Sequence, residues 1–435
     1  MKNNALIFNK LILGFIAFSY LGACTPIGQT STSDVGGKTL QLSDQAYEHQ
    51  IKTVKLHPAF NEPQANLLPA VTKLGQPNLL LQFDDLRSER DLYYARIIHC
   101  NYDWTRSMLQ DLEFLAEFNE FPVNNFEFSV DTHIPYVHYW LNIPQVKLPG
   151  NYVVVVYRGS DKDDVILSRR FMVYDTRIAF ANERNLIGAG NVARLNQQIN
   201  FTINYGSIDL INPLETVNVT IRQNQRWDNI ATKIKPSFVR EIEKQLEYRF
   251  FDDSKMFKGG NEFRFFDLRS LNSPGRNVDF VKNSVKPFQA TLVKDKTRQH
   301  EAYAQYQDLN GGFINDNYDY RDASYSNYAD VTFRLSSPKL NGEVYVTGAF
   351  NYWNLGPENR MTYDSTQKLY TSTFLMKQGW YDYQYYVQSK GLAPYVLEGS
   401  HFETENQYEI FVYYRALRPS ADLLIGYVRL DKNER

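Results

Sequence analysis

The chain has 435 residues, enough for two to four domains, each able to bury a core of ordinary size. Its 47 basic and 49 acidic residues nearly cancel to a formal net charge of −2, which excludes the basic excess of a nucleic-acid-binding protein and the acidic tail of a disordered one. Tyr and Phe are abundant, 31 and 28, and both favour strands, where large side chains pack on a pleated surface.

Residues 1–23 are expected to be a signal peptide. Lys2 and Lys10 give a basic start, and the apolar run LILGFIAFSYLGA is shorter than the ~20 residues of a bilayer-spanning helix. The run closes on Leu21-Gly22-Ala23-Cys24, which resembles the bacterial lipoprotein box, where cleavage precedes a cysteine whose sulfur carries a diacylglycerol. The alternative is a plain signal peptide followed by an unrelated cysteine. On the lipoprotein reading Cys24 is the lipidation site, and Thr25, where an aspartate would signal retention at the inner membrane, points to the outer membrane. Acyl chains contribute about 0.8 kcal/mol per buried CH₂, so several together anchor a protein stably. Residues 24–45, rich in Thr, Ser and Gly, are expected to be a flexible tether with an r.m.s. span of about 25 Å. With Cys24 lipidated, Cys100 lacks a disulfide partner and is expected to be a small buried apolar residue; a reactive thiol is the alternative.

Residues 46–175 are expected to form an N-terminal antiparallel sandwich. IKTVKLHP, NLLLQFDDL, YYARIIHCNYDW, NYVVVVYRG and DDVILSRRFMVYD are β-branched or aromatic runs bounded by Pro, Gly, Asn or Asp. RSMLQDLEFLAEF fits either a short helix or an edge. Residues 176–325 form a middle β-rich domain in this reading, with EYRFFDDS and NEFRFFDLRS as a strand pair around a KGG turn, and a Tyr-rich loop over 299–327. Residues 326–435 read as a further sandwich, from ADVTFRLSS to NQYEIFVYYR. The fold class is therefore all-β: two or three immunoglobulin-like sandwiches in tandem.

Catalytic sets are missing from the sequence. There is no G-x-S-x-G, no H-E-x-x-H and no P-loop, so no catalytic residue, cofactor or metal is expected. His133 and His138, five apart in a strand-like run, are expected on opposite faces. Asp161, Asp163 and Asp164 read as a hairpin turn. NDNYDYRD begins like an EF-hand loop, but Tyr320 stands where glycine is needed and Ser326 where glutamate is needed. VYVTGAFNYWN followed by GWYDYQYYV resembles early-set sandwiches of the glycogen-binding kind, which stack aromatic platforms on sugars. Trp353 matches the first platform, Gln384 replaces the expected lysine, and QSKGLAPY lacks the second tryptophan.

The order of VKLHP, LLLQFDDL, YYARIIHCNYDW, LPGNYVVVVY, RRFMVYD, NEFRFFDLRSL, GAFNYW and FETENQYEIFVYYR with DLLIGY resembles the plug protein family of the type IX secretion system of Bacteroidetes, over roughly residues 46–430. The resemblance implies a non-enzymatic plug that binds the periplasmic mouth of an outer-membrane translocon barrel and closes it when no substrate occupies it. It implies a barrel protein and, through Cys24, the outer membrane as partners, with no nucleic acid and no small-molecule substrate. The alternative, resting on Trp353 as a sugar contact, is a carbohydrate-binding outer-membrane lipoprotein of a glycan-uptake system.

Overall fold

The computed structural model describes residues 38–60, 63–76, 79–182, 195–250, 255–320 and 322–432. Among them the regular structure is almost entirely strand, arranged as three sandwiches with three separate cores.

In the first sandwich, one sheet contains Val165–Tyr174, Gly150–Arg158 and Tyr93–Cys100 as antiparallel neighbours, and the other contains Ile51–Pro58, Leu79–Asp85, Val137–Asn142 and Asn125–Phe128. The strands form because β-branched and aromatic residues alternate: Leu79, Leu81 and Phe83 point inward against Tyr139, Val154 and Val156. Gly150–Arg158 is buried at every position. Its unbroken valine run is the signature of a strand covered on both faces, and Val153 and Val155 belong to a second apolar layer outside the sandwich.

The other two cores do not follow chain order. Asn406–Arg415, expected in the last sandwich, pairs instead with Val217–Gln223, and Asp422–Lys432 pairs with Asn406–Arg415 on its other side, so both complete the middle one. In exchange Arg264–Asp267, Val278–Lys282 and Phe288–Leu292, expected in the middle domain, join the last sandwich. The sheets therefore cross the expected boundary at residue 325. The expected hairpin around KGG does not form either. Gln245–Tyr248 pairs with Phe201–Asn204, whereas Arg264–Asp267 pairs with Gly379–Gln388 in the other sandwich. At the crossing a Cβ on Gly259 would lie 1.8 Å from the His401 carbonyl oxygen, so only glycine fits there.

Residues 38–45 are not free coil. Lys38 bridges Glu48 and Asp164, Arg170 donates from Nε to the Leu42 carbonyl (2.8 Å), and Gln45–Ala46 pairs with Val165–Tyr174. The polar composition that suggested a tether here serves side-chain and backbone bonding along the sheet edge. Residues 25–37 and Cys24 lie outside the described residues. The ambiguous segment at 106–118 is mostly irregular, with one helical turn, Asp111–Phe114, whose Phe114 is buried.

Candidate functional site

The three sandwiches meet around the hairpin turn at Gln223–Asn229 in the middle one. Asn224 and Gln225 adopt left-handed backbone, which pushes the next side chains outward. Gln225 donates from Nε2 to the Leu67 carbonyl of the first sandwich (2.7 Å). The Arg226 guanidinium lies 4.1 Å over the Trp353 ring of the last one. Trp227 packs edge-on to Trp104 of the first at 4.8 Å. The same corner borders a polar cavity of about 330 Å³ to which Asp44, Arg169, Gln225, Tyr352 and Trp353 contribute.

Trp353 is thus placed by the structure at a junction. Tyr352 and Trp353 both have left-handed backbone, and they aim in different directions: Arg169 sits 4.9 Å over Tyr352, while Trp353 rests against Phe263. Trp353 is 7% exposed, and a Cβ on Gly311 would come within 2.4 Å of its ring. A sugar platform needs an exposed ring face; here one face lies under Arg226. The NYDW stretch behaves alike. Trp104 is buried and Tyr102 packs on Tyr413, both within the joint between first and middle sandwiches.

The joint between first and last sandwiches is ionic. Asp84 is fully buried on the outward face of its sheet and accepts from Lys377 Nζ (2.8 Å) and Tyr328 Oη (2.7 Å), with His138 Nδ1 at 2.6 Å. Burial alone would raise the Asp84 carboxyl, but Lys377 and His138 outweigh it and hold it well below the usual carboxylate range. Lys55 donates to the Phe313 carbonyl (3.2 Å); its burial, and then the nearby Lys377 charge, push its ammonium down to about 7. His133 stacks on Phe288 at 3.9 Å. The two histidines therefore reach the same joint, because His133 precedes the strand and alternation does not govern it.

Other titratable groups serve the last sandwich. Burial pushes Glu398 up, yet Arg264 and Arg298 hold it down at about 2. Asp308 and Asp382 are both pushed up, first by burial; for Asp308 the Asp382 charge comes next. Their oxygens accept backbone N–H groups of the 308–312 loop, with Asn310 donating to Asp308 at 2.8 Å. Asp319 and Asn317 of the EF-hand-like stretch are used the same way, receiving N–H groups of Leu271 and Tyr320. Asp164 is paired with Arg158 and Lys38 at the turn after Gly159. Cys100 is buried, and desolvation pushes its thiol up to about 12, which suppresses thiolate chemistry. Among the described residues no group of three or more His, Cys, Asp or Glu is placed to hold a metal ion, and no helix is long and apolar enough to cross a membrane.

Three strongly exposed apolar groups lie in the segment between Tyr93–Cys100 and Phe121–Pro122. Met108, Leu112 and Phe118 are 83%, 72% and 73% exposed. The sequence reading missed this surface. No periodicity in QDLEFLAEFNE marks it: exposed Leu112 and Phe118 share strand parity with buried Phe114 and helical i,i+3 spacing with buried Leu115.

Residues 51–175, spanning the first sandwich, match the family described as type 9 secretion system plug protein, first domain. The chain carries the first domain of the type 9 secretion system plug family. The matched strands are those whose outer faces make both joints described above. A solved structure of a hypothetical protein from Parabacteroides merdae is similar over 91% of this chain and 100% of its own length, with a TM-score of 0.83 and 28% identity. No curated protein matches the chain in sequence. The plug-family domain ties the chain to type IX secretion and hence to the cell envelope.

Proposed function

We propose that the protein is a non-enzymatic plug that binds the periplasmic mouth of the type IX outer-membrane translocon barrel and closes the pore when no substrate occupies it. The observation that carries the reading is the match of residues 51–175 to the plug first domain. The architecture supports it. A plug must present a broad surface that does not flex, and three sandwiches locked by a shared turn and two buried joints supply one. A plug must also leave, which suits a reversible interface of modest size with a polar rim.

Cys24, lipidated, would hold the protein to the periplasmic side of the outer membrane, and a tether raises the local concentration of a released plug at the pore. Cys24→Ala should release the protein from the membrane fraction; unchanged localisation would remove the anchor from the reading. The binding claim is tested by purifying the tagged full-length protein from gently solubilised outer membranes. Stoichiometric recovery of one very large barrel protein is expected. Recovery of glycan-uptake receptors without such a barrel would replace the plug reading.

A further inference from the structure

Exposure alone does not make a docking surface, but at residues 106–120 the exposed apolar groups are also held in place. Phe114 and Leu115 of the same segment are buried in the first core. Lys147 N donates to the Phe114 carbonyl (2.8 Å), and its Nζ reaches the Leu112 carbonyl. The Asn119 amide both donates to and accepts from the Ile97 backbone (2.8 and 2.7 Å), fixing the far end against the sheet edge. Glu113 accepts from the Gln110 N–H at 2.7 Å, closing the helical turn. Met108, Leu112 and Phe118 are therefore presented on a fixed frame, and little ordering entropy remains to be lost on binding.

The charge around them selects the occupant. Asp111, Glu113 and Glu117 are exposed on the same segment and outnumber its one exposed cation, Arg106; of the neighbouring lysines, Lys147 is bonded to the Leu112 carbonyl, and Lys162 is drawn to Glu120 (3.3 Å) and over the Phe118 ring (5.7 Å). An acidic rim is repelled by anionic headgroups, and a single helical turn is too short to lie in a bilayer surface as an amphipathic helix. A second copy docking through the same patch would set these carboxylates against one another. A basic rim is what complements them.

We propose that residues 106–120 are the edge by which the protein seats on its secretion partner: a protein surface with apolar hollows for Met108, Leu112 and Phe118 and a Lys- or Arg-rich rim facing Asp111, Glu113 and Glu117. This rests on the plug reading, and the segment lies within the matched first domain. The test places a photo-crosslinking amino acid at Leu112, and at exposed Ile242 as a control, in the full-length protein in its own cells. A Leu112→Ser/Phe118→Ser variant is compared for co-purification of the barrel. An adduct with the barrel from position 112 and not 242, and at least tenfold less barrel with the variant at an unchanged unfolding midpoint, are expected. An adduct from 112 with a different envelope protein whose contact surface is basic would keep the surface and reject the plug reading. No adduct, a lipid or self adduct, or undiminished co-purification by the variant would overturn the surface itself.

Discussion

The first sandwich meets the middle one through Val153, Val155, Phe411 and Tyr413, and meets the last one through Asp84, Lys377 and Tyr328. In the first joint the cations lie flat on rings: Arg170 over Trp104 at 4.4 Å and Arg222 over Trp227 at 4.3 Å. The Arg222–Glu409 pair stays within one sheet. In the second joint an ion pair spans the interface itself. Apolar burial is non-directional and holds two surfaces together in many registers. A buried charge pair adds little net stability over an apolar replacement but penalises any arrangement that separates it. Adhesion therefore falls to the joint with the middle sandwich, and angular precision to the joint with the last.

The largest expected effect breaks the ionic joint. Asp84→Ala leaves Lys377 and Lys55 buried without a carboxylate and should cost on the order of 3–5 kcal/mol in urea unfolding. The pair Asp84→Leu/Lys377→Met should cost much less than the sum of the singles. If Asp84→Ala costs under about 1 kcal/mol, the joint carries no buried charge. Trp104→Ala, in the aromatic joint, should cost about 3–4 kcal/mol, read in the same experiment, and that loss should not change between pH 7 and pH 4.

Acid separates the joints further. Asp84 and Glu398 titrate below their ordinary values in the folded chain, so the unfolded chain binds more protons over the interval between its own pKa and theirs. Their contribution is complete above about pH 4.5 and drains as pH falls toward 2, by on the order of 1–3 kcal/mol for Glu398. Asp84→Asn should flatten the acid limb of a stability–pH profile, and an unchanged limb would count against Asp84 as a titrating partner. The smallest effect belongs to the turn: Arg226→Ala removes a cation–π contact and should cost about 0.5–2 kcal/mol.

Strand identity was legible in the sequence, and strand partnership was not. NYVVVVYRG announced a strand, and its four consecutive valines also encode a doubly covered one, visible once Val153 and Val155 are seen outside the first core. EYRFFDDS and NEFRFFDLRS look like partners because sequence neighbours usually pair. Their partners are instead Phe201–Asn204 and Gly379–Gln388, a choice made by which core each strand's apolar face can enter. Pairing Val217–Gln223 with a strand almost two hundred residues later leaves no local mark. Trp353 was legible as a special residue in a special loop. That its ring packs beneath an arginine depends on Arg226 of another sandwich, which no motif within GAFNYW reports.

The measurement that tests the plug account most directly is the conductance of the purified translocon barrel in a planar bilayer, before and after adding this protein to the periplasmic side. The account predicts that an open, large-conductance pore closes in proportion to bound protein and reopens on its removal. A conductance unchanged at saturating, demonstrated binding would contradict it.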